Sequence, residues 1–191
     1  MLTTQQAVHR STCEVVDAYM KKLWQHSHVC AMCTQWLAGK TGYSELVSEA
    51  LLAGLFHDIG KLFLMKVLEE IHSSGEVDIS LSDPVVLEIL DNLHAEQSYL
   101  LMQHWNLPES YCEVARDHHK ADLDTSNPLL SLVRLSNAAC TKTGINLSSD
   151  PTIVLAALPE AGALCLDEIR LAELEILIED FVEDESSMTV H

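Results

Sequence analysis

Apolar residues return every three or four positions along most of the chain, the spacing that gathers them on one face of a helix. The pattern predicts helices over about Leu23 to Leu37, Ser44 to Phe56, Lys61 to Ile71, His94 to Trp105, Glu109 to His118 and Glu168 to Val182. Strand-like alternation is confined to short stretches such as Val77 to Leu81. Asp83-Pro84, Asn127-Pro128 and Asp150-Pro151 each place a capping side chain before a proline suited to the first helical turn, and each predicts a helix start. Gly39 to Gly42 and His72 to Asp83 read as connectors. The last long helix carries Ile169, Leu174, Leu177, Ile178 and Phe181 opposite a face of Glu and Asp, which predicts a solvated amphipathic helix. Beyond it, the tail from Glu183 to His191 is expected to fray. No internal repeat or low-complexity linker divides the chain. The expected fold is therefore all-α, a single-domain helical bundle over residues 1–185 with a disordered tail over 186–191.

Composition narrows the function more than the fold. With 29 Asp and Glu against 11 Lys and Arg, the formal net charge is −18, which repels a phosphate backbone and argues against a nucleic-acid partner. No uninterrupted apolar run approaches the ~20 residues that cross a bilayer, so no membrane partner is expected. The first twenty residues carry Glu14 and Asp17 and lack an apolar core after a basic start, unlike a secretory signal, which points to a cytoplasmic protein. Its six cysteines (Cys13, Cys30, Cys33, Cys112, Cys140 and Cys165) lie among apolar neighbours, as reduced, buried thiols do. Cys30 and Cys33 form a CxxC with no second pair to complete a four-thiolate zinc site, and read as core residues.

The stretch AGLFHDIGKL, Ala53 to Leu62, carries the chemistry. An apolar helix delivers His57 and Asp58 side by side into a break at Gly60, and adjacent ionisable groups at the end of an apolar run are costly unless paired or bound. Imidazole and carboxylate together suit a borderline transition metal, and one carboxylate can bridge two ions through its two oxygens. His26 shares a helix face with Val29, Cys30, Cys33 and Leu37, so it points into the core. His94 opens one predicted helix, and His118 with His119 closes another. Neighbouring helical residues diverge by ~100°, so both members of that pair serve one site only if they hold different ions or the helix ends there. Asn137 lies in phase with Leu130, Val133 and Cys140 on an apolar face, where a buried amide needs hydrogen-bond partners. Taken singly, each of these residues has an ordinary alternative, a buried polar side chain satisfied by a backbone group.

Taken together, their order resembles the HD superfamily, in which a first His, an HD pair and a later Asp appear in sequence. His26, in LWQHSHVCAM, matches the first His; His57 with Asp58 matches the pair; Asn137, in LVRLSNAAC, stands where the last Asp is expected. Within that superfamily the chain is similar to the HDOD group of bacterial signalling output domains. The likeness rests on Leu23, Trp24 and Ser27, on AGLFHDIGKL, on the His94 helix, on HWNLP at His104 to Pro108, and on the His118-His119 pair. It covers roughly Leu23 to Cys140, and the N-terminal segment with its DP and ANS motifs is not found, as in a fragment or a short variant. Lys120, Ala121 and Asp122 follow His119, where the cyclic-di-GMP phosphodiesterases that share the HD core carry a GYP signature.

The resemblance implies one or two divalent transition-metal ions, Fe, Mn, Ni or Zn, held by His26, His57, Asp58, His94, His118, His119 and Asn137 with Asp58 bridging. It implies a bacterial regulatory output domain with a signalling-protein partner. The alternative it leaves open is a metal-dependent phosphohydrolase acting on a phosphorylated small molecule, with Asp58 and Lys61 as catalytic residues and Lys61 neutralising developing charge. Asn137 removes one negative charge from the expected ligand set, which favours regulation over turnover.

Overall fold

The computed structural model of the protein describes residues 14–74, 83–122, 124 and 126–188. Its helices are α1 (Glu14–Lys40), α2 (Val47–Phe56), α3 (Ile59–Ser74), α4 (Asp83–His104), α5 (Glu109–Asp117), α6 (Pro128–Lys142), α7 (Pro159–Ala163) and α8 (Glu168–Met188). Short 3-10 turns occupy Ser44–Leu46 and Leu155–Ala157, and no strand occurs among the described residues. The described residues are all-helical, as the apolar spacing predicts.

Two apolar clusters make the core, and α1 runs through both. Val16, Met20 and Leu23 of its first half pack with Leu62, Met65 and Leu68 of α3 and Val86 and Leu90 of α4. Its second half, with Cys30, Cys33 and Leu37, joins α2, α5, α6 and α8 through residues such as Ala53, Val114, Leu132, Leu135 and Leu174. Burying a Leu or Met side chain contributes roughly 1.5–3 kcal/mol, so two such clusters hold the bundle without help from an ion. His26 lies between Leu23 of one cluster and Val29 of the other, and Asp58 between Ala53 and Leu62; the candidate site sits on the seam.

Two glycines set how closely the helices at that seam approach. A Cβ on Gly54 would lie 2.7 Å from Thr34 Oγ1 and 2.8 Å from Ala31 Cα, so its absence lets α2 rest on α1. At Gly60 the crossing is tighter, with the His94 carbonyl oxygen 2.2 Å from an added Cβ. The backbone N–H of Gly60 donates to Ser98 Oγ at 2.8 Å, which locks the start of α3 to α4.

Several boundaries depart from the sequence expectation. The break falls at His57 and Asp58 themselves, and Gly60 lies inside α3. His94 does not open a helix: α4 starts at Asp83 and carries His94 in its middle, on the buried face that Val86 and Leu90 begin at a spacing of four. The Asp150-Pro151 signal starts no helix. There Asp150 Oδ1 accepts from the backbone N–H and the hydroxyl of Thr152 and closes a turn instead. Asn127-Pro128 does begin α6, with Asn127 Oδ1 accepting from Leu130 N at 3.1 Å. Helix α8 continues to Met188, past the expected fraying point at Glu183, and Ile169 on it is 71% exposed. Cys165 is exposed, not buried, and the other described cysteines are buried free thiols. Val77 to Leu81 and Cys13 lie outside the described residues.

Candidate metal centre

Four segments converge on Asp58. His26 comes from α1, His57 and Asp58 from the two-residue junction of α2 and α3, His94 from α4, and His118 and His119 from the end of α5. The α5 helix stops at Asp117 with His118 as its cap, so the two consecutive histidines escape the divergence a continuing helix would impose. His26, His57, Asp58, His94 and His118 are all buried, whereas His119 is exposed.

Each buried histidine is fixed by its far nitrogen. Nδ1 of His57 donates to Gly54 O at 2.8 Å, Nδ1 of His94 to Leu90 O at 2.6 Å, Nδ1 of His118 to Ala115 O at 2.8 Å and Nδ1 of His26 to Ile145 O at 2.7 Å. A carbonyl only accepts, so each Nδ1 carries the proton, and in a neutral ring Nε2 is left as a lone pair. Carbonyl-held histidines of this kind are the usual support of metal ligands, because the second bond fixes tautomer and ring orientation.

The four Nε2 atoms all face the Asp58 carboxylate. His26 and His57 stand 3.4 and 3.5 Å from Oδ2; His94 and His118 stand 3.4 and 3.3 Å from Oδ1. His26 Nε2 is also 3.3 Å from His57 Nε2. With neutral rings these are contacts between acceptors, which repel unless a cation or a proton lies between them. Protonation does not relieve the contacts of His57 and His94. Burial, outweighing the nearby carboxylate, holds His57 well below the ordinary histidine range, and burial likewise lowers His94 to about 4. Asp58 Oδ1, His94 Nε2 and His118 Nε2 accordingly lack a hydrogen-bond partner in the described structure, although buried polar atoms are normally paired.

The spacing fits an ion. A metal with nitrogen bonds of about 2.0–2.1 Å and tetrahedral angles sets its ligand atoms about 3.3 Å apart. His26 Nε2, His57 Nε2 and Asp58 Oδ2 form a triangle with edges of 3.3, 3.4 and 3.5 Å. On the other side, ligand atoms of Asp58, His94, His118 and His119 lie within 4.8 Å of one another. The donor set, imidazoles with one shared carboxylate, suits borderline transition ions better than Mg.

Lys61 is buried and gives its ammonium to Asp58 Oδ2 at 2.6 Å. Burial alone would raise the Asp58 carboxyl, but Lys61, then the histidines, outweigh it and hold it well below the usual carboxylate range. Lys61 thus supplies a built-in countercharge. Asn137 is buried with Oδ1 unpartnered in the described structure, one helical turn from Cys140.

Sequence reasoning missed three supports. Ile145 holds His26, and its carbonyl is aimed by the α6 terminus, where Gly144 has φ of 85°, Gly144 N–H donates to Thr141 O and Ile145 N–H donates to Cys140 O. This is a Schellman end, in which glycine takes the left-handed position. Ser98 holds Gly60, and its place one turn after His94 on a core-facing side was the available signal. Cys30, one turn after His26, joins His26 and His57 in the second of two groups of candidate ligand atoms.

An all-helical bundle with a histidine-rich centre built on an HD pair defines the class of protein. Residues 1–121 match the HDOD domain family, and the chain belongs to it. Asn137 lies beyond the matched residues. A protein of Treponema pallidum (strain Nichols), itself uncharacterized, is 27% identical over 130 residues, which cover 63% of this chain and 25% of that protein. A crystal structure of an HDOD domain protein of unknown function from Geobacter sulfurreducens superimposes with a TM-score of 0.62 at 21% identity, covering 89% of this chain and 68% of that one. A candidate signal transduction protein from Marinobacter aquaeolei VT8 gives 0.62 at 23% identity, over 88% of this chain and 38% of that one. The two structures share the fold. The chain spans about a quarter of the Treponema protein's length. No described helix is long and apolar enough to cross a membrane.

Proposed function

We propose that this domain is a regulatory output module of bacterial signalling, cytoplasmic, in which a divalent transition-metal centre fastens α1, the α2–α3 junction, α4 and the end of α5. One observation carries the metal: four Nε2 lone pairs, each committed by an Nδ1–H to carbonyl bond, surround a single buried carboxylate. His26 and His57 would hold an ion with Asp58 Oδ2; His94, His118 and His119 would hold one with Oδ1. Iron, manganese, nickel and zinc all suit such donors. A signalling protein is the partner through which a regulatory output module of this family would act. Metal analysis of untagged protein tests the centre: bound metal in the parent, lost in Asp58→Ala and His57→Ala, is the expected result. Metal-free parent protein purified without chelator and refractory to loading would overturn it.

The bridging position of Asp58 favours a second reading, a phosphohydrolase. Paired ions would lower the pKa of a shared water and clamp phosphate oxygens. Asp58 would hold both halves in register and Lys61 would keep its charge balanced, with a phosphorylated substrate entering past His119. Turnover of phosphomonoesters, nucleotides or cyclic dinucleotides by metal-loaded protein, abolished in Asp58→Ala, would establish this reading. Metal bound without turnover leaves the regulatory one.

A further inference from the structure

We infer that Cys30 is a metal ligand, so that the two halves of the centre differ in chemistry: His26, Cys30 and His57 form a thiolate-containing site for a borderline-soft ion, zinc above all. The inference rests on the metal-centre reading above and adds a ligand that the HD pattern does not contain.

Geometry comes first. One ring nitrogen each of His26 and His57 and the Cys30 sulfur all lie within 4.8 Å of one another, and all three residues are completely buried. His26 and Cys30 are four residues apart on α1, the separation at which two helical side chains share a face and can chelate one ion. The 3.3 Å between the two Nε2 atoms is already the edge of a tetrahedral site. The Thr34 hydroxyl gives its proton to Cys30 O at 2.7 Å and stays 4.0 Å from Sγ, and the buried Cys140 thiol is the other partner of the Cys30 side chain, so ligation exchanges weak thiol contacts for a metal bond.

Charge supplies the second argument. A divalent ion between two neutral imidazoles needs anionic ligands. Asp58 Oδ2 is shared with the Lys61 ammonium at 2.6 Å, and position 137, where a carboxylate would be expected, is a neutral amide. A Cys30 thiolate replaces the missing charge. Ligation forms a sulfur–metal bond and releases the thiol proton to solvent, one per ion bound. The opposite half, Asp58 Oδ1 with His94, His118 and His119, offers only oxygen and nitrogen. Tetrahedral nitrogen and sulfur ligation selects zinc over manganese, and oxygen with nitrogen does not discriminate in this way.

Cobalt(II), which takes zinc sites and reports sulfur ligation through a near-ultraviolet charge-transfer band, tests the assignment on the full chain stripped of metal. The band should grow to one equivalent, persist in Cys33→Ser and Cys140→Ser, and vanish in Cys30→Ser. Zinc X-ray absorption of the parent should show one sulfur at about 2.3 Å, and this decides the question if Cys30→Ser does not fold. Bound cobalt without the band, a band that survives Cys30→Ser, or zinc with no sulfur neighbour overturns the assignment and leaves the metal centre standing. Absence of any bound cobalt overturns both.

Discussion

Lys61→Met should convert this domain into one whose stability depends on metal. In the parent, the Lys61 ammonium lies 2.6 Å from Asp58 Oδ2, and the two side chains are only 5% and 1% exposed. Replacing Lys61 by a side chain of similar length without charge leaves Asp58 buried among lone pairs with no cation. Breaking a buried pair by removing one partner costs about 3–5 kcal/mol. For a chain of this length each kcal/mol lowers Tm by roughly 2–4 °C, so melting in chelator should fall by about 10 °C. A divalent ion restores the missing positive charge, and no longer meets the repulsion of Nζ. The rise in Tm on adding zinc should therefore be larger in Lys61→Met than in the parent, and zinc affinity should increase. Differential scanning calorimetry of both proteins, in chelator and at saturating zinc, gives all four values. A variant that melts within a degree or two of the parent in chelator, or that gains no more from zinc than the parent does, would refute the reasoning.

Gly60→Ala places a methyl group 2.2 Å from the His94 carbonyl oxygen, where backbone must move; a loss of about 3 kcal/mol or more is expected in urea titration, with weakened metal binding because His94 shifts with α4. His94 provides a pH dependence: unfolded, it takes up its proton near 6.5, but folded, burial delays this to about 4. Metal-free protein should hold this contribution in full above pH 6.5 and lose about 3 kcal/mol as pH falls from 6.5 to about 4, measurable by chemical denaturation across that range. Gly144→Ala, at φ of 85°, should cost about 1 kcal/mol by thermal melting and loosen the Ile145 carbonyl that holds His26, so metal affinity should fall with it.

The helical class, the Asn127 cap and the convergence of the histidines were legible because each leaves a local trace: a period, a capping pair, a motif. His94 could be recognised as a site residue although its helix start was misplaced, since helix position and core-facing phase are separate signals. What remained hidden is tertiary. Nothing in AGLFHDIGKL says that Gly60 meets the His94 carbonyl instead of ending a helix, because that contact joins residues 34 positions apart in sequence and depends on how α3 crosses α4. The Ile145 carbonyl is a backbone group and has no residue type to read. Lys61 was legible as a charge near the site but not as the partner of Asp58, since a lysine three residues on can equally point outward.

The same geometry bears on whether the centre turns anything over. Metal-assisted hydrolysis would require a substrate to reach ions held at Asp58, yet Asp58 and the four histidines nearest to it are at most 3% exposed, and among the cluster only His119 opens to solvent. Lys61, the cation that meets the centre among the described residues, is spent on Asp58. The lysine that would recognise a phosphate is thus already engaged, while Asp58 Oδ1, His94 Nε2 and His118 Nε2, which would hold an ion, are left without partners in the described structure. An ion at this place would tie together segments from residue 26 to residue 119 across the seam between two apolar clusters. Its arrival or loss would change how those clusters are joined, which suits the proposed regulatory role better than an open catalytic cleft.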